Sequence, residues 1–160
     1  YDLLEMMVKA VSLNGNFVLN FGPDGKGNIR SEETKLAKEI GDWMKINKEA
    51  IYGTSHSTVQ KQDWGYFTQK GNKLYMCVFN RPINNLLKIE IPKGGIIPMK
   101  AYFLENNQET EIQNAGKNKR NSSLYHVAVP ASYKTDRPFV IVLEMQENTK
   151  EEGEYQQAKI

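Results

Sequence analysis

Leu87-Lys88-Ile89-Glu90-Ile91 alternates apolar and charged side chains without a break. A period of two is the spacing of a strand, whose successive side chains point to opposite faces. The run therefore predicts a strand with one face in a core and the other in water. Tyr125, Val127 and Val129 repeat the pattern, as do Phe139, Ile141, Leu143 and Met145. Tyr66–Gln69, Leu74–Phe79, Met99–Leu104 and Glu109–Ile112 read as further strands, separated by clusters of Asn, Gly, Pro and Lys. Seven short strands with no helix between them point to an antiparallel β-sandwich over residues 54–147. Its expected core contains Leu87, Ile89, Ile91, Val127, Ile141 and Leu143.

Towards the N-terminus the grammar changes. Leu3, Leu4, Met7, Val8 and Val11 line one helical face and predict a helix over residues 1–13, closed by Asn14-Gly15, which tolerate a left-handed stop. Phe17–Phe21 reads as a short strand and Gly22-Pro23-Asp24-Gly25 as a turn. Ser31 reads as an N-cap, with Glu32 and Glu33 in the first turn, where the helix dipole favours acids. Leu36, Ile40, Trp43 and Met44 form the apolar stripe of a helix ending near Asn47. Helix, strand, loop, helix is the pattern of an α/β fold. The expected fold class is mixed: terminal α/β elements over residues 1–53, then an all-β antiparallel sandwich. The boundary falls in the polar stretch Gly53-Thr54-Ser55-His56-Ser57-Thr58, and residues 148–160 read as a fraying polar tail.

The chain has 160 residues, of which 21 are basic and 19 acidic, a net charge of +2 that supplies no general field for nucleic acid or an anionic membrane. The densest basic cluster, Lys117, Lys119 and Arg120, lacks interleaved aromatics and reads as a solvated loop. A single cysteine, Cys77, excludes an internal disulfide and a cysteine-based zinc site, and in its apolar run it reads as a small buried hydrophobe. His56 and His126 do not make a metal site by themselves, so neither metal nor cofactor is expected. No run approaches the roughly 18 consecutive apolar residues of a helical membrane span. The sequence opens at Tyr1 with neither Met nor a signal peptide, and a fragment is the expectation.

Four stretches carry a more specific signal: Asn14-Gly15-Asn16-Phe17-Val18-Leu19-Asn20-Phe21-Gly22-Pro23; Ile40-Gly41-Asp42-Trp43; Asn47-Lys48-Glu49-Ala50-Ile51-Tyr52-Gly53-Thr54; and Trp64-Gly65-Tyr66-Phe67-Thr68-Gln69-Lys70-Gly71. In order and spacing they resemble the α-L-fucosidases of glycoside hydrolase family 29. The resemblance implies a (β/α)8-type catalytic barrel followed by a C-terminal β-sandwich. A barrel takes about 250 residues, so the part before the boundary holds only its closing elements. It also implies exo-acting, retaining hydrolysis of terminal α-L-fucose from glycans by two carboxyl groups about 5 Å apart. In that family both carboxyls, and the histidines that hold the sugar, come from earlier barrel strands. No position here matches them, so no catalytic residue is expected in this segment. The implied partners are a fucosylated glycan bound by the rest of the barrel and the missing N-terminal barrel portion, with no nucleic acid and no membrane. The implied location is periplasmic or extracellular.

Several residues invite a functional reading. Asp24 stands where barrel enzymes gather their chemistry, but an Asp before Gly more simply bonds its own turn backbone. Alternation puts Asn16, Val18 and Asn20 on one side of their strand and Phe17, Leu19 and Phe21 on the other. That makes Asn20 a weak substrate-site candidate, whose amide either orients a sugar-contacting side chain or satisfies loop backbone near Gly22. Trp43 lies on the apolar stripe of its helix and reads as core. Trp64 reads as interdomain packing. Asp42 and Glu49 read as solvated or capping residues. Tyr66, Tyr75, Tyr102 and Tyr125 are scattered among strands, Tyr125 on the inward register, so the sequence assigns no glycan platform. Structural support is therefore preferred to glycan binding as the sandwich's role. Asn121-Ser122-Ser123 fits the glycosylation pattern but is read as chance.

Overall fold

The structure, a computed structural model, describes residues 2–146. The tail assigned to residues 148–160 lies outside the described residues.

The first helix, α1 (Asp2–Ser12), buries Leu4 and Val8 on the predicted face. It closes where Asn14-Gly15 allows: Asn14 adopts φ 61°, its amide bonds the Val11 carbonyl at 2.9 Å, and the Gly15 amide bonds the Ala10 carbonyl at 2.8 Å. This pair of bonds satisfies carbonyls that the helix end leaves open. A second helix, α2 (Ser31–Asn47), runs into a 3-10 turn at Lys48–Ala50. The extended residue before it is Arg30, so Ser31 is already helical and makes no capping bond. A guanidinium–carboxylate pair, Arg30 to Glu33 at 3.1 Å, holds that first turn instead.

Eight strands follow: β1 (Gly65–Lys70), β2 (Lys73–Val78), β3 (Leu86–Ile91), β4 (Ile97–Phe103), β5 (Glu109–Thr110), β6 (Ile112–Lys117), β7 (Ser123–Ala128) and β8 (Phe139–Gln146). They form a five-stranded sheet in the order β1-β2-β8-β4-β5 and a three-stranded sheet in the order β3-β7-β6. Every pairing is antiparallel, as the alternation implied. The single strand expected over 109–112 is two: the chain leaves one sheet after Thr110 and enters the other at Ile112.

The six expected core residues all lie between the sheets, none more than 3% exposed. Lys88 on the opposite face is exposed and Glu90 half-buried, which fixes the register. Trp64 belongs to this inner core rather than to a domain junction. It packs edge-on against Phe67 at 5.0 Å, and its Nε1 donates to the Lys88 carbonyl at 2.9 Å. Gly65 beside it has no room for a side chain, because a Cβ there would run into the Cys77 carbonyl oxygen.

Strands β1, β2 and β8 of the five-stranded sheet are buried on both faces. Leu4, Val8, Trp43, Ala50 and Ile51 from the helical segment cover Tyr66, Tyr75, Cys77, Val140 and Val142 on its outer side. The described residues thus stack in three layers, helices on sheet on sheet. Burial on both faces explains why β2 and β8 are almost uninterruptedly apolar. Cys77 is a buried hydrophobe, as read, and burial pushes its thiol up to about 12.

Phe17–Phe21 forms no strand. The segment between the helices pairs with no strand among the described residues.

Candidate functional site

Residues 13–30 join the two helices and form neither helix nor strand. Phe17, Leu19 and Phe21 are half-buried while Asn16, Val18 and Asn20 are exposed, Val18 at 78%. The period of two survives without a sheet. Backbone amides of residues 16–21 make no hydrogen bond to other backbone among the described residues. Asp24 closes the loop: its Oδ1 accepts from the Lys26 amide at 2.8 Å and the Asn28 amide at 2.9 Å. Those donors, Asn28 first, hold its carboxyl below the usual aspartate range. The turn reading is the correct one.

The helices are tied to the sheet by polar bonds as well as by packing. Tyr66 donates to Glu5 Oε1 at 3.1 Å, and Tyr75 to Glu49 Oε1 at 2.8 Å. Thr68 Oγ1 donates to the Ala50 carbonyl at 2.6 Å, and Trp43 Nε1 to the Pro138 carbonyl at 2.9 Å. Glu49 also receives the Lys73 ammonium at 3.2 Å. The Tyr75 hydroxyl, more than the lysine, lowers the Glu49 pKa, while burial first and then Glu49 raise that of Tyr75. On α2, Lys38 at 2.6 Å and Lys45 at 3.0 Å hold Asp42 at about 2. Asp24, Asp42 and Glu49, the carboxylates whose titration is shifted, all spend their oxygens on structural partners. Among the described residues no cluster of His, Cys, Asp and Glu is disposed to hold a metal.

One polar cleft of about 300 Å³ opens between α1 and the loops at Asn80-Arg81 and Asp136-Arg137. Arg81 is committed to that scaffold: it bonds Asn85 Oδ1 at 2.8 Å and the Pro130 carbonyl at 3.0 Å. The cleft holds no nucleophile paired with a base.

Comparison with known proteins gives this surface a context. The family model for alpha-L-fucosidase matches residues 1–49, the helical layer and its open segment. An α-L-fucosidase of Dictyostelium discoideum is 36% identical over 98 residues, 59% of this chain and 21% of that protein. A bacterial fucosidase solved with an inhibitor superposes with a TM-score of 0.83 at 36% identity, covering 92% of this chain and 32% of its own. This chain is similar to part of the α-L-fucosidases. A family 29 enzyme of Bacteroides thetaiotaomicron, trapped as a covalent intermediate with 2-fluoro-fucosyl fluoride, matches at 37% identity and TM-score 0.81 over 91% of this chain and 32% of its own. The chain therefore spans about a fifth of the curated relative and about a third of the solved fucosidases.

Asn20 stands on the exposed side of the open segment, and its side chain makes no hydrogen bond among the described residues. Trp43, 4% exposed, is core as read, and so is not a sugar platform. Tyr66, Tyr75 and Tyr102 are not scattered: they meet on the outer face of one sheet, beneath the helices. His56 is exposed and His126 half-buried on the outward register opposite Lys88. Glu49, read as solvated or capping, is instead a tether between the two layers. The reading missed this because its partners lie 24 and 26 residues away and no local pattern links them.

Glu49 sets a pH dependence. Its folded pKa lies below the ordinary 4.5, so its contribution is fully present above pH 4.5 and is lost as pH falls through the folded value. With 43% of the side chain exposed, the effect stays below about 1 kcal/mol. Glu49→Gln should lower stability by that amount near neutrality. The gap between the two proteins should close in urea unfolding at pH below 4.5.

Proposed function

We propose that this chain is the C-terminal part of an exo-acting, retaining α-L-fucosidase that removes terminal α-L-fucose from glycans. On this reading residues 1–53 are the closing α/β elements of a (β/α)8-type barrel, residues 54–147 are the sandwich that braces it, and both catalytic carboxyls come from the rest of the protein. The observation that carries the proposal is the match over 92% of the chain to 32% of a fucosidase. The state of Phe17–Phe21 supports it: a segment of alternating burial whose amides bond no other backbone is what remains of a parallel strand when its neighbours are taken away. In that position Asn20 stands at the upper end of the last barrel strand, near the sugar pocket.

Structural support is favoured over independent glycan binding for the sandwich, because Tyr66 and Tyr75, at 6% and 0% exposure, have no face left to stack on a sugar. The location that goes with this reading is periplasmic or extracellular, by resemblance alone.

Retention follows from a two-step displacement through a glycosyl-enzyme, the species trapped in the Bacteroides thetaiotaomicron protein. Proton NMR of an aryl α-L-fucoside digested by the intact protein tests it: α-fucose should appear first and then mutarotate. The β-anomer appearing first would remove retention, and no hydrolysis would remove the fucosidase reading itself.

A further inference from the structure

One end of the three-stranded sheet carries a charge cluster that bracing a barrel does not require. Ile91, the last residue of β3, stands opposite Ser123, the first of β7, and Lys117, the last of β6, stands opposite the same serine. The β3–β4 loop and the β6–β7 hairpin therefore leave the sheet side by side. Between them they present Lys93, Lys117, Lys119 and Arg120, all exposed. Among the described residues none of the four is ion-paired. Four cations without an ion pair among the described residues, gathered at one sheet end, are a strong local field in a chain whose net charge is only +2.

The hairpin is built, not loose. Asn118 Oδ1 accepts from the amides of Arg120 at 2.9 Å and Ser122 at 3.0 Å, and its Nδ2 donates to Glu90 Oε1 at 2.6 Å. The Asn121 amide closes the turn on the Asn118 carbonyl at 3.0 Å, with Asn121 at φ 61°. Gly116, at φ 85°, gives its amide to Asn114 Oδ1 at 2.8 Å beside a bulge in the β6–β7 register. One half-buried asparagine thus fixes the backbone from which three of the cations project, and a loop fixed in advance loses less entropy when it binds. Glu90, on the adjoining strand, accepts the Asn118 bond and forms no ion pair with the four cations among the described residues.

The cations are interspersed with amides and hydroxyls (Asn114, Asn121, Ser123), and the one aromatic nearby, Tyr125, packs inward against the core. Without exposed rings to stack bases, single-stranded nucleic acid fits poorly. A chain of sugars bearing anionic groups fits well, since its hydroxyls match the amides and its charges match the cations. Arg120 suits a sulfate or carboxylate in particular, because its planar fork bonds two oxygens at once. We propose that the Lys93 loop and the Lys117–Arg120 hairpin form a docking surface for an anionic, sulfated or carboxylated glycan. The choice of a glycan rests on the fucosidase reading, and the surface would hold such a polymer apart from the fucose being cleaved.

The test measures binding of heparin, a sulfated polysaccharide, to the intact protein as a function of salt, alongside hydrolysis of an uncharged aryl α-L-fucoside. For the triple variant Lys117→Ala, Lys119→Ala, Arg120→Ala, binding at about 0.1 M salt should weaken tenfold or more. The slope of log K against log salt should fall by roughly 0.7–0.9 per cation removed, through lost counterion release. A charge-matched variant elsewhere, Lys9→Ala, Lys35→Ala, Lys48→Ala, should bind as the parent does, and both should keep the parent's hydrolysis rate. Equal weakening in the two variants would overturn the site, leaving only net charge. An equal loss of binding to anionic phospholipid vesicles in the hairpin variant would overturn the glycan assignment. Loss of hydrolysis in the parent would strike the fucosidase reading and leave the binding result standing.

Discussion

The 160-residue chain by itself should release nitrophenol from an aryl α-L-fucoside no faster than buffer does, a deficit of at least about 10⁶-fold against the intact protein. Retaining hydrolysis needs one ionised carboxylate and one protonated carboxyl about 5 Å apart across the sugar, so that the first attacks while the second protonates the leaving oxygen. The carboxylates nearest to that description are spent otherwise. Asp24 is bound by two amides of its own loop, Asp42 by two lysines, and Glu49 by a tyrosine and a lysine. Each of these partners lowers the acid's pKa, which is the wrong direction for a general acid. Asp24→Asn should consequently change nothing in the isolated chain. Turnover that this substitution abolished would return catalysis to the segment and end the proposal that it lies upstream.

What the sequence made legible follows from where water is. Leu87 to Ile91 alternates because one face of β3 is wet, and there the register and the core residues were read correctly. In β8 the reading took Phe139, Ile141 and Leu143 and passed over Val140 and Val142, which are equally buried. An unbroken apolar run is the signature of a strand covered on both sides, so the helical layer was announced in β2 and β8. The switch of sheets at Glu111 was not legible, since only distant partners, β4 on one side and β7 on the other, distinguish the two halves of that run. Trp64 was misplaced for a similar reason: its hydrogen bond to Lys88 spans 24 residues. The open segment was read correctly in its alternation and incorrectly as a strand, because alternation is local and pairing is not.

Hydrogen exchange on the isolated chain should divide the helical layer in two. Of the closing α/β elements expected over residues 1–53, α1 and α2 have a partner within this chain. Leu4, Val8 and Trp43 are 3%, 0% and 4% exposed against the outer sheet face. Burial of each such side chain contributes about 1.5–3 kcal/mol, so exposing all three together costs roughly 5 kcal/mol or more. Amides in α1 and the second half of α2 should therefore exchange with β2 and β8, at least about a thousandfold slower than free amides. Phe17–Phe21 has no such anchor, since its amides lack backbone partners and Val18 on its outer side is 78% exposed. Those amides should exchange close to the rate of an open chain. In the intact protein the same five residues should gain the protection of a paired strand, because the proposed barrel supplies the missing carbonyls on either side. Slow exchange at Phe17–Phe21 in the isolated chain would mean that the segment is complete without a barrel. Fast exchange there in both forms would mean that no strand ever pairs with it, and residues 1–53 would then be a cover for the sandwich rather than the end of a catalytic domain.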